Sequence, residues 1–190
     1  EEEPGKIAHE IPVRRADRVR LELRKRFTWG FPYYGGIDST SWWIRVVDRY
    51  VERTGDRALL AEVTPNLASA ADWMAGPARI GFADFVAYQR RNRAGLLHQG
   101  WRDSDLGAVP IVAPVSLVEV QGYHATAAAA LDRLGIDAPR AVHVDPDAFE
   151  RVFWMPDEGT FALAVGGDGV VSRIVTSNAA KADELAKKLK

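Results

Sequence analysis

The chain has 190 residues, 47% of them hydrophobic and 27% charged, with a formal net charge of -1. That length supports one domain with a sizeable core. The near-neutral balance gives no electrostatic reason to expect nucleic acid or an anionic membrane as partner.

Cysteine is absent, which excludes disulfides and thiolate metal sites and is compatible with a cytoplasmic protein. No apolar run approaches the roughly 20 residues of a membrane helix. The chain opens on Glu1-Glu2-Glu3 rather than a basic then apolar segment, so no signal peptide is read. Lacking an initiator Met, it reads as an excised or processed piece. Six Trp, five Tyr and seven Phe are present, several of them in polar, loop-like sequence. Such rings pair a large flat apolar surface with a polar handle. That suits core packing, and it also suits the flat face of a pyranose.

Arg14 to Arg26 is strongly basic with Val19, Leu21 and Leu23 alternating, and it reads as a strand or a short helix with a solvated face. Phe31-Pro32-Tyr33-Tyr34-Gly35-Gly36 reads as a loop. A helix follows, capped by Asp38 or Ser39. Its apolar face is predicted as Trp43, Val46, Val47, Tyr50 and Val51, and Gly55 ends it. Of the Trp42-Trp43 pair, one ring belongs in the core. A short helix around Arg57–Glu62 comes next. Thr64-Pro65 then starts another, with Leu67, Ala70, Ala71 and Met74 as its apolar face and Gly76-Pro77 as its stop. Residues 77–114 form a long irregular connection with a possible short strand over Phe82–Tyr88, and connections this long are usually functional.

A strong helix is predicted over Val115–Leu134, favoured by Ala127–Ala130 and ended by Gly135. Another runs near Pro146–Phe153 with Asp145 as its cap. Thr160–Val165 and Val170–Val175 flank Gly166-Gly167-Asp168-Gly169, a hairpin signal. Ala179–Lys190 reads as a short, charged amphipathic helix. Helices joined by aromatic-rich loops point to packed helical hairpins rather than a Rossmann-like sheet.

Glycoside hydrolysis needs two carboxyl groups flanking the scissile bond, roughly 6.5–9.5 Å apart in inverting enzymes. The acid must hold its proton near neutral pH, which calls for a partly desolvated, aromatic setting. Asp103 beside Trp101, in Gln99-Gly100-Trp101-Arg102-Asp103-Ser104-Asp105, fits that need, although a loop Asp in a turn fits the spacing equally.

That stretch stands in order with three others: Glu3-Pro4-Gly5-Lys6-Ile7-Ala8-His9-Glu10, Tyr33-Tyr34-Gly35-Gly36-Ile37-Asp38-Ser39-Thr40 and Val118-Glu119-Val120-Gln121-Gly122-Tyr123. Together they resemble the bacterial glycogen-debranching, amylo-α-1,6-glucosidase-type proteins of the six-hairpin glycosidases. Trp154-Met155-Pro156-Asp157-Glu158-Gly159 is similar to the family's W-x-P-D-E-G segment. The resemblance implies a mainly α fold, with helical hairpins forming part of an (α/α)6 toroid over residues 1–178 and a small β-hairpin near 160–175. Residues 179–190 would be a separate C-terminal helix. It implies hydrolysis of α-glucosidic linkages in glycogen-like or malto-oligosaccharide substrates. Asp103 matches the general acid of a G-W-x-D-S motif, and Trp101 would flank the cleaved sugar. Tyr34 and Asp38 match Y-G-x-x-D-x-T, whose Asp would bond sugar hydroxyls. Glu119 and Gln121 match E-V-Q-G-Y and would face the same cavity. Their spacing of two is not one helical face, so one of them is expected before the helix proper. Glu10, with His9, matches P-G-K-I-x-H-E at a loop lining the site.

Blander roles remain open beside these. Asp38 serves equally as a helix cap, Glu119 as a first-turn carboxylate favoured by the helix dipole, and Glu158 before Gly159 as turn chemistry. His9, His98, His124 and His143 show no metal spacing, and neither metal nor cofactor is expected. A complete toroid of twelve helices needs about 350–400 residues at about 12 per helix plus loops. The family's second carboxylate, the base, is therefore expected outside this chain. Exposed helix faces left by missing hairpins would favour self-association. The alternatives are a catalytically incomplete carbohydrate-binding domain or a helical interaction domain.

Overall fold

A computed structural model of the chain describes residues 2–12, 16, 30–101, 111–139 and 142–171. The basic stretch around Arg14–Arg26, apart from Ala16, the acid candidate Asp103 and the tail from Ala179 lie outside the described residues.

Helix α1 spans Ser39–Thr54 and ends where Gly55, at φ 67°, donates its N–H to the Val51 carbonyl. Asp38 holds the N-cap position, yet its side chain makes no cap hydrogen bond. The buried face is Ile44, Val47 and Val51 with Thr40, Ser41 and Asp48. This corrects the predicted phase: Val46 is 61% and Tyr50 43% exposed. The helix carries more apolar residues than one contact face accepts, and the contact with the third helix decides which are covered.

Helix α2 runs unbroken over Arg57–Ala75, where the sequence suggested two helices meeting at Pro65. Leu60, Leu67, Ala70, Ala71, Trp73 and Met74 form one buried set across the proline. Pro65 lies on the exposed side, where water can replace the lost backbone bond. The Thr64 hydroxyl donates to the Leu60 carbonyl at 2.7 Å, and the Ser69 hydroxyl to the Pro65 carbonyl at 3.1 Å. At its start the Asp56 carboxylate accepts from the Leu59 N–H at 2.9 Å. Asp56→Ala should cost about 1 kcal/mol, read as a lowered urea midpoint at unchanged slope. An unmoved midpoint would mean the cap contributes nothing here.

The long connection turns at a 3-10 helix, Phe82–Asp84, instead of forming the strand expected over Phe82–Tyr88. Ala83 and Asp84 have φ of 53° and 59°, a left-handed geometry that breaks any extended run. Tyr88 and Val115 exchange backbone hydrogen bonds of 3.0 and 2.8 Å. Strand β1, Ser116–Leu117, then leads directly into α3, Val118–Leu134, which Gly135 ends at φ 72°. The alanine-rich buried face of α3, with Ala127, Ala128, Ala130 and Leu131, lets α1 approach closely, and this is the most extensive helix pairing.

Helix α4 covers Pro146–Phe153, and Asp145 caps it by accepting from the Asp147 N–H, as the spacing predicts. Strand β2, Trp154–Met155, pairs antiparallel with β3, Thr160–Phe161, in the register Trp154 to Phe161. Strand β4, Ala164–Val165, pairs antiparallel with β1. Across Gly166–Gly169 the Gly166 N–H bonds the Val170 carbonyl at 3.0 Å and Val165 bridges Val171, as the hairpin signal predicts, while residues 172–175 of its second strand lie outside the described residues. The apolar run 160–165 is divided between two other ladders.

The fold is mainly helical. One core joins α1, α2 and α3, and a smaller one gathers Phe85, Phe153, Met155, Ala162 and Val165. Among the described residues, no helix is long and apolar enough to cross a membrane.

Candidate functional site

Tyr33 ties three distant segments together. Its N–H donates to the Glu10 carbonyl at 2.9 Å, and its own carbonyl accepts from the N–H groups of His9 at 2.7 Å and Glu10 at 3.2 Å. Its hydroxyl accepts from the Leu96 N–H at 2.7 Å. The phenol folds back over Gly35, where any Cβ would collide with the ring, so glycine is required. Two further bonds complete the junction. The Ile7 N–H donates to the Thr40 hydroxyl at 2.9 Å, and the Ile37 N–H to the Gln99 carbonyl at 2.8 Å.

The segment 98–101 crosses the head of α3. A Cβ on Gly100 would lie 2.7 Å from Leu117 Cδ1 and 3.6 Å from Glu119 Oε1, so a glycine allows this approach. Tyr88 is packed below, its ring edge-on to His98 at 6.5 Å. Burial pushes the Tyr88 phenol up to about 12, with a backbone hydrogen bond with Gln99 opposing and the Glu119 charge adding. It therefore keeps its proton at neutral pH. Trp101, the next residue along, is 57% exposed.

Asp38 is buried at the head of α1, and Glu119 is half-buried in the first turn of α3. Tyr123 links them: its phenol is raised by burial, then by the charges of Glu119 and Asp38, against Arg45. The Tyr123 ring is 4.9 Å from that of Trp42, and the Arg45 guanidinium lies 4.1 Å over the other ring of this pair, Trp42. Trp43 packs partly into the core while Trp42 is 40% exposed, which agrees with one ring inside.

The structure thus gathers Glu10, Asp38, Glu119 and Trp101 on segments that meet at the heads of α1 and α3. Glu10 is held there mainly through its backbone, with its carboxylate 3.9 Å from His9 Nε2. Tyr34 is half-buried beside Tyr33. Gln121 has a different task. It is 1% exposed, its Nε2 donates to the carbonyls of Val86 at 2.8 Å and Leu117 at 3.0 Å, and its Oε1 accepts from the Val86 N–H at 3.1 Å. Its amide is spent on the backbone. Glu119 and Gln121 both lie inside α3, which corrects the expectation that one would precede it.

Tyr88, Arg45 and Tyr123 join the site without having been singled out by sequence, and Trp42 joins it as the outer ring of the pair with Trp43. Of the first three, only Tyr123 carried a signal, as the last residue of the E-V-Q-G-Y stretch. The W-x-P-D-E-G-like stretch forms the β2–β3 turn, where the N–H groups of Glu158 and Gly159 both donate to the Met155 carbonyl. Gly159 has φ 63°, which is the turn chemistry expected. Among the described residues, no three His, Asp or Glu side chains cluster as metal ligands.

Chemically, the rim offers the carboxylates of Glu10, Asp38 and Glu119 as acceptors, the half-buried phenols of Tyr34 and Tyr123, and the exposed indoles of Trp42 and Trp101. That combination can bond hydroxyls at the edge of a sugar while a ring covers its apolar face. Compared with known proteins, the chain matches no family model and no curated protein.

Proposed function

We propose that the chain forms the acid-bearing part of a site that hydrolyses α-glucosidic linkages in glycogen-like or malto-oligosaccharide chains. One observation carries this reading. The described parts of the four sequence stretches that resemble the debranching glucosidases, far apart in the chain, meet near the heads of α1 and α3, with residues 99–101 standing for the stretch that carries Asp103. In this reading Asp103 is the general acid, and Trp101 and Tyr34 are ring contacts. Asp38, Glu119 and Glu10 bond sugar hydroxyls, and a base outside this chain activates water in an inverting mechanism. The helical hairpins would be part of an (α/α)6 toroid. The partner is a carbohydrate chain, with neither nucleic acid nor membrane. Self-association would use exposed helix faces.

A catalytically incomplete binding domain is the second reading, favoured by the exposure of Trp101 and Trp42 on the rim. Calorimetric titration with malto-oligosaccharides tests both. Trp101→Ala should weaken binding about tenfold, the scale of one lost ring contact, without altering the fold. Sugar release on incubation separates the two, since the binding domain would bind without turnover. A folded protein that binds no malto-oligosaccharide would sink both.

A further inference from the structure

Beside the rim, α1 and α3 enclose a groove with about 260 Å³ of free space, lined by Trp42, Arg45, Val46, Arg49, Ala129 and Arg133 among others. We propose that it is an anion site for a small phosphate-bearing ligand, either a sugar phosphate or free phosphate. The volume falls just under the about 300–1,000 Å³ of drug-sized sites, which suits a small molecule.

Each of the three guanidinium groups is held by its own partner and keeps donors to spare. Arg45 is fixed by the Trp42 ring at 4.1 Å and forms no ion pair among the described residues. Arg133 grips Asp48 through Nε at 3.4 and 3.3 Å and Nη2 at 2.6 Å, so Nη1 takes no part in that pair. Arg49 uses Nη1 on Glu52 at 2.6 Å, leaving Nε and Nη2 outside that pair. Asp48, the single carboxylate lining the groove, is itself buried and faces Arg133. The lining itself thus sets three guanidinium groups against one carboxylate, with Glu52 and Asp132 just outside it acting on Arg133. Planar guanidinium forks match phosphate oxygens two at a time, and anchoring them beforehand lowers the entropy lost on binding.

The proposal is independent of glucoside hydrolysis, and its test keeps the two apart. Inorganic phosphate, a hexose 6-phosphate and neutral maltose are titrated into the protein and followed by amide chemical shifts. Both phosphate compounds should shift resonances of α1 and α3, and added salt should weaken them. Arg45→Gln should weaken both about tenfold; Arg49→Gln, at a residue that is not part of the sugar rim, should weaken both less while leaving maltose unaffected and the helical content intact. Tighter binding of the hexose phosphate would assign the ring to the groove as well, and equal binding would assign the phosphate alone. The proposal fails if neither compound binds at millimolar concentration, or if Arg45→Gln changes nothing. It also fails if binding declines as the protein dimerises on concentration, because the face would then belong to a second copy.

Discussion

Gln121→Leu should destabilise the fold by about 3 kcal/mol, among the largest effects of any single substitution here. Leucine nearly matches glutamine in volume, so the loss comes from hydrogen bonding and not from a cavity. The Val86 N–H and carbonyl both lose their amide partner, and Val86 is 1% exposed, so water cannot replace it. Each buried group left unpaired costs about 1–3 kcal/mol. Gln121→Glu keeps the acceptor for the Val86 N–H but loses both donated bonds and buries a carboxylate, so it should be worse at neutral pH than in mild acid. Urea denaturation reads both, through a lower midpoint at constant slope. A loss under 1 kcal/mol would mean that the 85–88 segment is held by other contacts. The consequence reaches the rim. Val86 anchors the segment that carries Tyr88, and Tyr88 packs against His98 and Gln99, which lead into Gly100 and Trp101. Freed of that anchor, the protein should lose sugar affinity while Asp38 and Glu119 remain in place.

Gln121 also marks the limit of what the sequence discloses. In the quoted stretch it is one polar residue two positions from Glu119, and both read as site groups. Nothing local reveals that a backbone segment 35 residues earlier claims its amide. Where signals are local, sequence and structure agree. Asp145-Pro146 opens α4, and Gly55 and Gly135 close α1 and α3 with left-handed backbones, because capping involves only a few consecutive residues. Where tertiary packing decides, they part. Pro65 sits inside α2 because the buried face spans it. Val46 and Tyr50 face outward because α3 takes the Ile44, Val47 and Val51 side.

The site follows the same division. The stretches that form it are visible in the sequence, and the junction of residues 7–10, 33–40 and 96–101 gives them a common place. Their glycines, Gly35 and Gly100, are readable only afterwards, as positions where a Cβ would strike Tyr33 or Leu117. Arg45 was hidden because an arginine stacked on an exposed ring looks, in sequence, like any helix surface, and the Trp42-Trp43 pair did not say which ring faces out.

The second large effect is acid sensitivity through His124. This histidine is fully buried in α3, and neither ring nitrogen has a hydrogen-bond partner among the described residues. Burial above all, then the nearby positive charge of Arg79 and, less, of His143, lower it to about 3, with the Val142 backbone offsetting part of the shift. Arg79 is itself lowered by burial, with Asp84 partly compensating. The folded state therefore holds His124 neutral down to about pH 3, whereas the unfolded chain takes up its proton near 6.5. Below 6.5 the unfolded state binds more protons, so stability is full above that value and falls as the pH drops towards the folded value. The slope is about 1.4 kcal/mol per pH unit, or about 2 kcal/mol lost by pH 5. Set against total stabilities of about 5–15 kcal/mol, that loss moves the urea midpoint visibly. His124→Leu fills a similar volume and cannot be protonated. It should match or exceed the wild type at pH 7, since an unpaired buried imidazole is replaced by a hydrocarbon, and its midpoint should change far less between pH 7 and 5. Parallel loss in the two proteins would assign the acid sensitivity to carboxylates instead. A wild-type midpoint that stays level down to pH 5 would mean that His124 finds a partner for its proton.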